Sequence, residues 1–171
     1  MDKITYALES FKNIQDLIKY IDQKSGAVLV VTGLIFAGYI EFLNDLTFTV
    51  SNKTSFLGIL TFFSSLLTLL SITMVVYISI FKVLKPRKAK DYHKKELSLF
   101  YYEHIFKLGK ENVLIQYENL DKKNRLKNIV DQQHEVSNIL NQKTIELAKS
   151  FNWLFLAFLS VMVFIICSTL L

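Results

Sequence analysis

The chain has 171 residues, 51% hydrophobic and 13% aromatic, with a formal net charge of +5 and only 1 Pro, 5 Gly and 1 Cys. Spread evenly through a chain that is also 20% charged, so much apolar surface would give an insoluble core. The charges are instead absent from three long runs, which excludes an ordinary soluble enzyme domain. The one cysteine, Cys167, excludes an intrachain disulfide.

Residues 1–24 carry Asp2, Glu9, Asp16 and Asp22 against Lys3, Lys12, Lys19 and Lys24. A cleaved signal peptide is therefore not expected, since such a segment has a basic start and an apolar stretch without carboxylates. Ile4, Ala7, Phe11, Ile14, Ile18 and Ile21 recur at spacings of 3, 4, 3, 4 and 3. That is the narrow stripe of an amphipathic helix, suited to a coiled-coil seam with other helices.

Residues 25–43 form the first predicted membrane span. Its Gly33 and Ala37 make a small-xxx-small pair that permits close backbone approach in lipid. A loop at 44–54 follows. The second span, 55–82, is drawn on the 28 uncharged residues between Lys53 and Lys82, enough to cross a hydrocarbon layer of about 30 Å at 1.5 Å per residue. Thr61, Ser64, Thr68 and Ser71 share one face of that helix. Such a face either packs against other helices, with its hydroxyls turned back onto backbone carbonyls, or lines a polar path.

Lys85–Pro86 ends this helix, because a residue before proline is pushed out of the α region. Residues 83–149 then read as a helical bundle. One helix is expected from about Asp91 to Leu108 with Gly109 as its cap, and a short one over 111–121. A long helix begins near 122, and no Gly or Pro interrupts it through the third span, 150–171. Its length would be about 70 Å. The predicted fold is thus an all-α integral membrane protein with three transmembrane helices and a cytoplasmic helical bundle, the third span continuous with a long cytoplasmic helix.

Charge sets the expected orientation. Residues 82–150 hold fifteen bases and nine acids, whereas 41–55 hold one base and two acids. Lysine and arginine beside a span mark the cytoplasmic side. The N-terminus and the bundle are therefore expected in the cytoplasm, and the 44–54 loop and the C-terminus outside, in the periplasm. The basic flank at Lys82, Lys85, Arg87, Lys88 and Lys90 is explained by that placement, so nucleic acid is not the expected partner.

No motif of catalysis stands out, and the protein is not expected to be an enzyme. His93, His104 and His134 lack metal-ligand spacing and are read as helix-surface residues. The Arg87…His93 spacing, seen in some ribonucleases, is accidental in a lysine-rich flank. More informative are Gln133, Ser137 and Lys143, which interrupt the apolar face of the long helix. They either fix helix register or, with Tyr101, Tyr102 and Arg125, form a pocket for an anionic, base-containing ligand. Tyrosine offers a stacking face, lysine and arginine phosphate contacts, and glutamine a base-edge reader.

Several short stretches occur in a telling order. Asp22-Gln23-Lys24 enters the first span, Leu84-Lys85-Pro86-Arg87 closes the second, Leu99 to Ile105 follows, and Asp131-Gln132-Gln133 with Ser137 and Lys143 precedes the last span. This order resembles the transmembrane effectors of Pycsar antiphage systems. The resemblance implies a membrane-embedded, abortive-infection effector of the bacterial inner membrane. Its cytoplasmic helices would sense a cyclic nucleotide, cyclic UMP or cyclic CMP, and a homo-oligomer would then disrupt or permeabilise the lipid bilayer. The competing readings are a CRISPR-associated accessory membrane-pore protein triggered by a nucleic-acid-guided complex, a ligand-free structural membrane protein, and a holin.

Overall fold

A computed structural model describes residues 2–44, 56–86, 99 and 101–170 of the chain. Among these, secondary structure is helical throughout: α1 spans Lys3–Asn44, α2 Phe56–Tyr77, α3 Tyr102–Glu118 and α4 Lys122–Thr169. A π-helical segment, Ile78–Leu84, extends α2. The all-α membrane fold and the continuity of the last helix are as the sequence predicts. α1 is likewise unbroken, so the amphipathic segment and the first span are one helix. The expected helix from 91 to 108 is corrected at one point: Tyr101 is extended (φ −106°, ψ 120°), and α3 starts after it. Residues 87–98, with Arg87 and His93, lie outside the described part.

The chain divides into two compact units, Met1–Tyr20 with Pro86–Lys143, and Ile21–Lys85 with Thr144–Leu171. The second contains the apolar spans, and α1, α2 with its extension, and α4 are each long and apolar enough to cross a membrane. Its core follows from spacing. Thr61, Ser64, Thr68, Ser71 and Val75 of α2 and Ile78 of its extension are buried at intervals of 3, 4, 3, 4 and 3, with Ile72 buried beside them. On α1, Ile21, Ser25, Val28, Thr32 and Tyr39 keep the same period, and on α4 Leu147, Ser150, Ala157, Ser160, Phe164 and Cys167 do. A mean period of 3.5 keeps one stripe facing the neighbouring helices in coiled-coil-like packing.

The distribution of polarity is inverted relative to a water-soluble bundle. The inward stripe is dominated by small and hydroxylated residues, whereas Leu34, Phe62, Phe63 and Phe155 point outward. In water such a surface would aggregate. In lipid it is the solvated face, and small residues inside let the helices approach closely. Lys85 (φ −57°, ψ 127°) leaves helical geometry immediately before Pro86, and its N–H is donated to the Ile80 carbonyl at 3.0 Å, five residues back.

In the other unit, Ala7 of α1, Leu99, and Ile129 and Val136 of α4 are buried. Asp121 caps α4, its Oδ1 accepting the Asn124 N–H at 2.8 Å. Gly109 interrupts α3 with φ 74° and ψ 158°, at the position where the sequence places the cap between one helix and the next. That backbone region is essentially restricted to glycine.

Candidate functional site

The polar positions of the α4 seam lie in the unit formed by Met1–Tyr20 and Pro86–Lys143. Gln133 Nε2 donates to Ser10 Oγ at 2.7 Å, joining α4 to α1, and Ser137 Oγ donates to the Gln133 carbonyl at 2.7 Å. Lys143 is 5% exposed, as is Glu135. Burying a charge is costly unless it is paired, and neither of these two is without a partner. Gln132 Oε1, in contrast, is buried and accepts no hydrogen bond.

An aromatic cluster marks the start of α3. The Tyr101 ring lies 5.2 Å from that of Tyr102 and 5.0 Å from that of His104, edge-on to the latter. Tyr102 is mostly exposed, while Tyr117 Oη donates to the Leu99 carbonyl at 3.5 Å. Burial, with the Lys107 ammonium nearby, holds the His104 imidazole below its ordinary value against an opposing pull from Glu103. His134 sits on the surface with Asn138 Nδ2 at 3.4 Å.

Gln133 and Ser137 are thus brought together. Lys143 lies ten residues beyond Gln133 on the same helix, about 15 Å along its axis. Arg125 is exposed on the first turn of α4, and 18 residues separate it from Lys143, about 27 Å. That span exceeds the reach of a mononucleotide, so one small ligand does not touch both. The sequence alone does not mark Ser10 or Glu135, and it marks Gln132 only as part of the Asp131-Gln132-Gln133 stretch and not as a site residue. Ser10 adjoins the apolar Phe11 of the α1 stripe, and Glu135 adjoins the apolar Val136. Position beside a seam residue was the available signal. No group of three or more His, Cys, Asp or Glu residues that could hold a metal occurs among the described residues.

In the span unit, Thr61, Ser64, Thr68 and Ser71 are 0, 7, 0 and 0% exposed within the single chain. Thr61 Oγ1 donates to the Leu57 carbonyl at 2.8 Å and Ser64 Oγ to the Thr61 carbonyl at 3.0 Å. The Thr68 hydroxyl is shared between the Ser64 carbonyl at 2.9 Å and Ser160 Oγ at 3.0 Å. Tyr39 Oη is 2.6 Å from Ser65 Oγ, and its ring lies 5.2 Å from Phe164. This hydroxyl face therefore needs no second subunit to be covered. Gly33 and Ala37, in contrast, face outward, and a Cβ added at Gly33 would meet nothing within 4 Å. Gly33 borders a groove of about 350 Å³ with Leu29, Phe36, Leu69 and Val76.

Three spans long and apolar enough to cross a membrane, with a second helical unit that carries a buried polar seam, define an all-α membrane protein. The model of the Pycsar effector protein domain, PycTM, matches residues 6–171. The chain belongs to that family, and is an antiphage defence effector with a transmembrane domain. It is also 32% identical over 99 residues to the Pycsar effector protein TpPycTM of Treponema porcinum, a match covering 58% of this chain and 80% of that protein. No solved structure matches the chain.

Proposed function

We propose that the protein is a non-enzymatic effector of the bacterial inner membrane that assembles with copies of itself and permeabilises the bilayer when a cyclic pyrimidine nucleotide binds the unit outside the spans. The observation that carries this reading, given the family, is the α4 seam. Gln133 and Lys143 occupy positions where a purely structural coiled coil would place an apolar residue, and Gln132 and Glu135 flank that seam. One of them, Gln132, retains an unused acceptor, of a kind that reads a base N–H. The ligand site is placed at Gln132, Gln133, Ser137 and Lys143, with Tyr101 and Tyr102 as candidate stacking faces. Self-association is supported by Gly33 and Ala37, whose close-approach surface is not used within the chain.

Purified full-length protein in nanodiscs and in dye-loaded proteoliposomes tests this. Cyclic UMP or cyclic CMP is expected to bind, to increase particle mass, and to release the dye. Lys143→Ala removes a charged contact worth about 1.5–3 kcal/mol, which corresponds to roughly 10- to 150-fold in affinity. Gln133→Ala is expected to weaken binding less. Unaltered binding and release by both variants would remove the site, and a particle that stays monomeric with either nucleotide would remove the assembly step.

A further inference from the structure

The span unit carries hydroxyls inward over its whole depth, and some of them have nothing to bond. Ser25, Ser71 and Ser79 are each 0% exposed, and their Oγ atoms have no hydrogen-bond partner. This departs from ordinary behaviour, because a helical serine readily turns its hydroxyl to a carbonyl one turn back, as Ser64, Ser150 and Ser160 do here. An unpaired hydroxyl in an apolar core is unfavourable, and it is satisfied when water reaches it.

The hydroxyls are also ordered by level. Tyr39, Ser65 and Phe164 meet in one layer. Ser25, Ser79 and Ser150 each lie 14 residues from that layer along their own helix, about 21 Å in an α-helix. Three successive spans alternate in direction, so these serines fall at one common level, one from each span. All three are 0% exposed and therefore face the shared core. Between the two layers stand Ser71, Thr32 and the Thr68–Ser160 pair, and beyond the Tyr39 layer stand Ser64 and Thr61. Ser79 belongs to the π-helical segment, a geometry that recurs at functional positions in helices.

We propose that this buried file of hydroxyls is the route by which water and small ions cross the bilayer in the active protein, with Ser25, Ser79 and Ser150 as its narrow ring. This rests on the reading of the protein as a membrane-permeabilising effector. At rest the stripe is closed by the heptad packing of the three spans. A modest separation or rotation of the spans hydrates a surface that already bears hydroxyls at successive turns and no charge. An uncharged hydroxyl lining presents no fixed charge that would favour ions of one sign over the other.

Full-length protein in proteoliposomes provides the test, read as potassium and proton leak. Ser71→Asp puts a carboxylate on the file, whereas Thr73→Asp puts one two residues away on the exposed side of the same helix. Ser71→Asp is expected to raise the resting leak at least tenfold without nucleotide, and Thr73→Asp to leave it within twofold of the parent. Equal leaks from the two variants, or none from either, overturn the proposal. Should Ser71→Asp fail to assemble, Ser71→Asn replaces it with the same expectation. In a Cys167→Ala background, Ser71→Cys is expected to react with a water-soluble methanethiosulfonate at least tenfold faster once cyclic UMP or cyclic CMP opens the vesicles, with Thr73→Cys unchanged. Leaking vesicles with an unreactive Ser71→Cys overturn the route and leave the trigger standing. A parent insensitive to both nucleotides beside a leaky Ser71→Asp supports the route and overturns the trigger.

Discussion

Gly109 holds φ 74° and ψ 158°, a combination that crowds any Cβ against its own backbone. A Cβ built there meets nothing within 4 Å beyond its immediate neighbours. The penalty for adding one is thus conformational and not a matter of packing. Gly109→Ala should cost about 1–3 kcal/mol, the range for a residue forced into a sparsely populated backbone region. Alternatively, α3 relaxes into one straight helix and loses the angle between its two halves. Chemical denaturation followed by circular dichroism separates these outcomes, since only the second adds helical signal. A variant equal to the parent in both stability and helicity would show that the break at Gly109 is not under constraint.

At the scale of elements, the spans are fixed by a seam of small residues. Ala157 of α4 is 0% exposed, whereas its neighbour Phe158 is 51% exposed on the outward face. Ala157→Leu forces three methylene-sized groups into a closed seam and should destabilise the unit by about 1–3 kcal/mol. Phe158→Leu, on the lipid-facing side, should stay within about 0.5 kcal/mol of the parent. Unfolding in mixed micelles gives both values, and a larger loss from Phe158→Leu would invert the assignment of faces.

The same elements show what the sequence carries. The 3–4 stripe of α1 and the unbroken α4 were legible, because periodicity and the absence of Gly or Pro are local properties. Around Lys24 the helix continues unbroken while the charge of its surroundings changes, and the two compact units part close by, between Tyr20 and Ile21. The π-helical end of α2 left no compositional trace, since Ile78–Leu84 reads as an ordinary apolar helix. Gln133 and Lys143 were conspicuous as polar residues in a seam. Ser10 became visible only once α1 and α4 were side by side, because a contact 123 residues apart has no local signature.

For the whole molecule, the orientation in the membrane follows from the asymmetry of charge across its spans. The rule counts lysine and arginine within about 15–20 residues of a span end, not the net charge of a domain. Lys82, Lys85, Arg87, Lys88, Lys90, Lys94 and Lys95 lie in the first 14 residues after Phe81, while the 41–55 segment on the other side offers only Lys53. Each such residue near an anionic cytoplasmic leaflet contributes about 1 kcal/mol. The excess of six is therefore expected to set the choice of side. Lys143 and Lys149, just before the third span, add to the same side. Phosphatase and fluorescent-protein fusions should accordingly report the N-terminus as cytoplasmic, and both the 44–54 loop and Leu171 as periplasmic. Replacing Lys82, Lys85, Arg87, Lys88 and Lys90 together by glutamine should yield a mixed population, because the bias is then nearly lost beside the second span. A cytoplasmic Leu171 in the parent would remove one of the three crossings. With two crossings α1, α2 and α4 could no longer all traverse the bilayer, and the common level of Ser25, Ser79 and Ser150 would have no meaning in the membrane.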